Sequence, residues 1–235
     1  MNALKNIKKS VQRDTILMQE GRCNTDLGLF ASYFGQVRVS QVTEAWPYYE
    51  GQPMLPLLQI NLETFPTKPK GFEDIAFLCV FTRRDQYPVD TTNKKHWEIR
   101  TYKTLDNLVP LTQPTKPHHL QSFTLHPELK TDFPCWEEGR VDESALEERV
   151  EDPDDIFELY QEHFPTLEGI KLGGWPYLVQ AEISWDSDSI DNGDIDFLIQ
   201  IDSTEKGRWC WGYQGIAYLG RCIKTGEWFL TWQCY

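Results

Sequence analysis

LPLLQINL, residues 55–62, has a counterpart in DFLIQID, residues 196–202. In both, a glutamine sits inside an apolar run, and Gln59-Ile60-Asn61 aligns with Gln200-Ile201-Asp202 at a separation of 141. A second block keeps that separation: Ile75-Ala76-Phe77-Leu78 against Ile216-Ala217-Tyr218-Leu219. Two ungapped blocks at one spacing imply a chain built twice from one plan. A third recurrence is a Trp-Pro-Tyr triplet, in EAWPYYEG (44–51) and GGWPYLVQ (173–180), at a separation of 129. Equating the triplets requires twelve additional residues in the second copy before its Gln-Ile pair, and the polar stretch SWDSDSIDNGDID lies there.

Runs of β-branched and aromatic residues bounded by Gly, Pro and Asn predict strands at 15–18, 37–42, 55–62, 75–82 and 97–102 in the first half. The second half reads as strands at 177–185, 195–202, 215–223 and 228–234. An amphipathic helix is expected at 2–11, and an acidic helical pair at 143–150 and 154–163, broken at Pro153 because proline cannot continue a helix. Between the halves, Pro110, Pro114, Pro117, Pro127 and Pro134 predict a wrapping loop with one short strand near 122–125. The expected fold is α+β: strand-rich, two sheet-containing repeats related by internal duplication, with a few peripheral helices. The repeats are placed at 1–131 and 132–235, packed as one compact unit.

A chain of 235 residues buries enough surface to fold without metals or disulfides. Nine Trp, ten Tyr and twelve Phe suit strands, cores and interfaces. No apolar run approaches the roughly 20 residues that cross a bilayer, and the first residues lack the apolar stretch of a signal peptide. A soluble, cytoplasmic protein without membrane partners is therefore expected. The six cysteines have no Cys-x-x-Cys pair and read as free thiols, mostly buried. The formal charge of −13 disfavours nucleic acid, whose affinity for proteins comes from Lys and Arg. Residues 136–160 alone hold eleven acids against Arg140 and Arg149, which suits a solvated helical connection or a docking surface for a basic protein.

Catalytic signatures are absent: no Gly-x-Ser-x-Gly, no phosphate-binding glycine loop, no His-Glu-x-x-His. The acidic stretch 186–196 fails as a calcium loop, because with Gly193 at the sixth position Ile190 and Ile199 fall where carboxylates belong. His118, His119 and His126 lie in a proline-rich loop without matching ligands, and a Cys-His pair is only combinatorially available. No metal, no cofactor and no catalytic residue is expected.

The binding candidates are aromatic and amide residues. Proline holds each preceding Trp in extended geometry, so Trp46 and Trp175 are core anchors or the walls of a cleft between halves. Gln59 and Gln200 are amides inside apolar strands and require partners, most simply backbone. Trp209, Trp211 and Tyr213 alternate and would share one face of an extended segment. Asp202 supplies a carboxylate beside Gln200.

At these residues the sequence resembles the YwqG-like family of bacterial proteins, which have no settled activity. The carriers are SYFGQVRV (32–39), Trp46-Pro47, LPLLQINL, KLGGWPYLVQ (171–180), FLIQID and WGYQGIAYL (211–219). Two positions depart from the family pattern: Gly35 is followed by Gln36 rather than a second Gly, and Tyr213 stands where Asp is common. The resemblance implies a duplicated, strand-rich α+β fold. It also implies a remote link to programmed-cell-death-2-like proteins, which look like dedicated chaperones of a small-subunit ribosomal protein. The resulting expectation is a non-enzymatic, acidic protein-binding or chaperone-like module. The alternatives are a small-ligand protein or enzyme with a pocket between the repeats, and an immunity-type toxin inhibitor.

Overall fold

The computed structural model describes residues 2–84, 87–89, 91, 93–141, 144–147, 152, 155–185 and 192–235. The first half contains α1 (Asn2–Val11), β1 (Arg13–Cys23), β2 (Tyr33–Phe34), β3 (Val39–Gln41), β4 (Tyr48–Tyr49), β5 (Gln52–Pro53), β6 (Leu55–Asn61), β7 (Phe77–Thr82), β8 (Trp97–Tyr102) and β9 (Leu108–Pro110). There follow β10 (Phe123–Asp132), α2 (Ser144–Glu147), α3 (Ile156–His163), β11 (Lys171–Gly173), β12 (Ile195–Asp202), β13 (Ile216–Cys222) and β14 (Trp228–Gln233). The fold is strand-rich with few helices, as expected. The predicted helix at 143–150 is described only at Ser144–Glu147, and Pro153 lies outside the described residues.

One ten-stranded antiparallel sheet dominates, in the order β14-β13-β12-β11-β1-β10-β2-β6-β7-β8. From either edge, a three-stranded meander leads through one short strand to the central ribbon of β1 and β10. The short strands are exchanged: β2 pairs with β10, and β11 pairs with β1. Alternation along the strands divides the apolar residues between two faces. Leu78 and Val80 of β7 and Ala217 and Leu219 of β13 join one core that runs under both halves. Phe77, Cys79 and Phe81 face a second cluster with Val37, Val39 and Trp46. Tyr218 and Cys222 face a third with Leu178 and Trp185. Leu4 and Ile7 of α1 pack with Tyr160 and Phe164 in a fourth, helical cluster.

The halves agree in detail. The hairpin ladder is bulged between Pro56 and Leu58 in one and between Phe197 and Ile199 in the other, 141 positions on. Gln59 accepts from the Arg38 amide (2.7 Å) and donates to the Leu29 and Ala31 carbonyls (both 2.8 Å). Gln200 accepts from the Tyr177 amide (2.8 Å) and donates to the Gly169 carbonyl (3.4 Å) and to Asp202 Oδ1 (2.9 Å). Both glutamines are fully buried and bonded to backbone. The Ser32 carbonyl accepts from Leu125 N, and the Ile170 carbonyl accepts from Met18 N, at 2.9 and 2.8 Å.

The same geometry corrects the pairing of the Trp-Pro-Tyr triplets. Arg38 and Tyr177 occupy one position and stand 139 apart, and that spacing carries Trp46 onto Trp185, not Trp175. Trp46 packs edge-on against Phe81 of β7 (5.3 Å between centroids). Trp185 lies so close to Gly220 of β13 that a Cβ there would meet its ring at 2.7 Å. The interval from tryptophan to glutamine is therefore two residues longer in the second half than in the first, not twelve.

Two further expectations fail for physical reasons. Residues 177–185 form no strand: they cover the outer face of β12–β14, and no described strand pairs with them as β9 pairs with β3 in the first half. The expected wrapping loop near 122–134 is instead β10, a ten-residue strand at the centre of the sheet. Pro127 is tolerated because β2 pairs with β10 only at Phe123 and Thr124, leaving that side of the strand without a strand partner beyond them.

Candidate functional site

The candidate residues do not converge on one surface. Trp46 is 8 % exposed and its Nε1 donates to the Met54 carbonyl at 3.0 Å. Trp175 is 7 % exposed, donates to the Val11 carbonyl at 2.7 Å, and carries the Arg13 guanidinium 3.3 Å over its ring. Both are core anchors. Trp209, Trp211 and Tyr213 form no strip, because residues 212–214 turn rather than run extended, with Gly212 at φ 58 and Gln214 at φ 49. Trp211 is fully buried, Trp209 nearly so, and Tyr213 points outward at 70 % exposure.

Asp202 and Trp209 do meet, in a cleft of about 690 Å³ at the end of β12. Its walls include Glu168, Tyr177, Glu205, Arg208 and Tyr235. Gln200 stands behind Asp202, bonded to its Oδ1. Asp202 Oδ2 accepts from the Gly169 amide at 2.5 Å. Burial outweighs these bonds and lifts the Asp202 carboxyl to about 7, with Lys171 pulling it down and Glu168 pushing it up. Burial likewise lifts the Tyr177 hydroxyl to about 12.

Asn61 holds the position equivalent to Asp202 in the first half, where its amide donates to the Phe30 carbonyl at 2.9 Å. The two positions bond in opposite senses: Asn61 donates to a backbone carbonyl, whereas both Asp202 oxygens accept, from Gln200 and from the Gly169 amide.

Beneath the cleft lies a fully buried ion pair, Lys171 Nζ to Asp132 Oδ2 at 2.9 Å. Lys171 also donates to the Leu167 carbonyl. The Asp132 carboxylate accepts from the amides of Leu167 (2.8 Å), Phe133 (3.1 Å) and Trp175 (2.8 Å). Burial lowers the Lys171 pKa, opposed by Asp132. The sequence reading missed this pair, because a lysine and an aspartate 39 positions apart carry no local signal.

The cleft's outer wall, the loop 203–215, is anchored on the first half. Gly207 accepts at its carbonyl from Gln121 N (3.0 Å), Thr204 Oγ1 donates to Glu20 (3.0 Å), and His119 stacks on Trp209. Tyr87 touches the rings of Trp209, Trp211 and Trp232. Trp232 donates to the Pro88 carbonyl, whereas the buried Nε1–H groups of Trp209 and Trp211 have no acceptor among the described residues.

Among the described residues, no cluster of three or more His, Cys, Asp or Glu could hold a metal. The acidic stretch 186–196 lies outside the described residues at 186–191; Asp194 pairs with Lys224. His126 approaches Thr124 at 3.1 Å and His119 stacks on Trp209. All six cysteines are free, three of them buried and Cys23 and Cys210 exposed. No helix among the described residues is long and apolar enough to cross a membrane.

These features define a strand-rich protein with a ten-stranded sheet, exchanged central pairing and an acidic cleft beside the second meander. Residues 35–220 match the family described as Domain of unknown function (DUF1963), and the chain belongs to that family. No curated protein matches the chain.

Proposed function

We propose that this protein is a non-enzymatic binding module of the YwqG-like kind, acting in the bacterial cytoplasm, whose acidic cleft holds cationic side chains of a basic protein partner in a chaperone-like way. The observation that carries this reading is Asp202, a carboxyl held near neutrality in an open cleft, at a position where the first half makes do with Asn61. A carboxyl whose ionisation burial opposes, set in the wall of a cleft, is a candidate binding group. Glu168 and Glu205 flank it, and a cation between them would return the Asp202 proton to solvent. Long-range attraction from a chain of net charge −13 would speed encounter with such a partner.

The module is also proposed to descend from an internal duplication, with repeats 1–131 and 132–235 meeting at the central ribbon. The matched bulges, the paired Gln59 and Gln200 networks and the Trp46/Trp185 positions support that origin.

Binding of an oligolysine peptide, measured by calorimetry, tests the function. Affinity is expected to fall about tenfold or more between roughly 50 and 300 mM salt, as screening shortens the range of charge attraction. It is also expected to rise as pH passes upward through about 7, and to weaken in Asp202→Asn and Glu168→Gln. If oligolysine binds no better than oligoglutamate at low salt, the reading fails. An immunity-type inhibitor would use the same cleft on a basic toxin, and a toxin encoded beside the gene would favour it.

A small-ligand reading rests on a different place, a cavity of about 470 Å³ where Arg13, Gly173 and Asp196 meet Lys68 and Lys70 of the first half. A metabolite thermal-shift hit abolished by Arg13→Ala would favour it.

A further inference from the structure

The acidic cleft does not end at Tyr177. Glu168 and Tyr177 also form the near wall of a second groove, of about 340 Å³, that runs along α3. Its far end is aromatic: Trp136, Phe157, Tyr160 and Phe164 line it. Trp136 sits edge-on to both Phe157 (5.7 Å) and Tyr160 (5.1 Å), so the rings form a fixed floor. Phe157 is 41 % exposed, an uncovered ring on an otherwise solvated helix face. Glu137 stands at the rim, keeping the groove negative along its length.

At the other end, the nearly buried Trp209 ring walls the acidic cleft beside Glu205 and Arg208.

We propose that the cleft and the α3 groove form one continuous trough that takes a single extended segment of the basic partner, with a Lys or Arg side chain against Asp202 and Glu168 and an aromatic or large aliphatic side chain on Trp136 and Phe157. This rests on the acidic-cleft reading and adds to it the sequence character of the bound segment. Glu137, Glu168 and Glu205 outnumber Arg208 along the trough and select a cationic occupant, and the aromatic floor selects an apolar residue beside the charge.

Three labelled peptides of equal length test it by fluorescence anisotropy with the full chain at low salt. One is built of Gly and three Lys, one has the same Lys with a Phe and a Leu in place of two Gly, and one is the Phe/Leu peptide with Glu for every Lys. The Phe/Leu/Lys peptide is expected to bind about tenfold tighter than the Gly/Lys peptide, a difference of about 1.4 kcal/mol, and the Glu peptide not at all. Phe157→Ala, a change on an exposed ring, is expected to abolish the gain and leave the Gly/Lys peptide's affinity as it was. Equal binding of the two Lys peptides, or a gain that survives Phe157→Ala, overturns the trough and leaves the acidic cleft standing. Binding of the Glu peptide as tight as its Lys counterpart overturns both readings, as does the absence of binding by either Lys peptide.

Discussion

Asp202 and Lys171 are buried charges with opposite consequences for stability. The folded chain holds the Asp202 proton up to about 7, whereas an ordinary carboxylate releases it near 3.8. Between those values the native state binds more protons than the unfolded one, so this group makes stability fall as pH rises through the window. The displacement corresponds to at most about 4 kcal/mol at pH above 7. Asp202→Asn sets an amide nitrogen against the Gln200 or the Gly169 donor at every pH, so it is expected to start below the parent near pH 4 and to gain on it up to about pH 7, read as urea midpoints across that range. A variant that tracks the parent at every pH would show that Asp202 is not held neutral. Lys171 has no such slack. Its ammonium and the Asp132 carboxylate are both fully buried, and removing one partner strands the other. Lys171→Met is expected to cost about 3–5 kcal/mol, the usual penalty for an uncompensated buried charge. Denaturant titration checks this, and a loss below about 1 kcal/mol would mean that the pair contributes little beyond its hydrophobic equivalent.

At the scale of elements, each meander is closed on its outer face by one tryptophan. Trp46 sits on Phe81 of β7 and Trp185 against Gly220 of β13, with the small residue in the second half leaving room for the closer ring. Trp46→Ala and Trp185→Ala are each expected to lose about 3–5 kcal/mol, as for other large-to-small core changes. The costs should be additive, because the two outer clusters share no residue. Thermal or urea unfolding of the single and double variants checks both points. The short strand β11 depends on glycine. Gly174 follows it at φ 73, and a Cβ there would lie 2.5 Å from Asp132 Oδ2 and 2.8 Å from Thr15 Cβ. Gly174→Ala is expected to cost about 2 kcal/mol or more from backbone strain alone, and to loosen the Asp132 network further. An amide-exchange measurement at Trp175, whose N–H bonds to Asp132, reports that loosening directly.

At the scale of the molecule, the exchange of β2 and β11 makes each half incomplete. The first meander reaches the sheet centre through β10, which lies outside residues 1–119, and the second does so through β1, which lies outside residues 120–235. Arg221 adds a bidentate bridge to Asp74 across the halves, at 2.7 and 2.9 Å. This bridge is partly exposed and modest in worth. Expressed apart, residues 1–119 and 120–235 are each expected to lack cooperative unfolding, and an equimolar mixture to recover it. The full chain is expected to unfold in one transition by fluorescence and circular dichroism alike. A stable, cooperatively folding fragment from either half would contradict the interlocked core.

The sequence by itself determined the strand-rich class, strands β3, β6, β7, β8, β12, β13 and β14 to within about two residues, the start of β1, α1, and the burial and backbone pairing of Gln59 and Gln200. These are consequences of local alternation, and of the rule that a polar amide in an apolar run must find a partner. Only the tertiary structure decided that Trp46 answers to Trp185, that a proline-bearing segment is a central strand, and that Lys171 meets Asp132 beneath Asp202. Register and long-range pairing depend on which surfaces close on one another. A Trp-Pro-Tyr triplet can recur without sharing a place in the sheet, and charges far apart in the chain reveal their pairing only when folding removes the water between them.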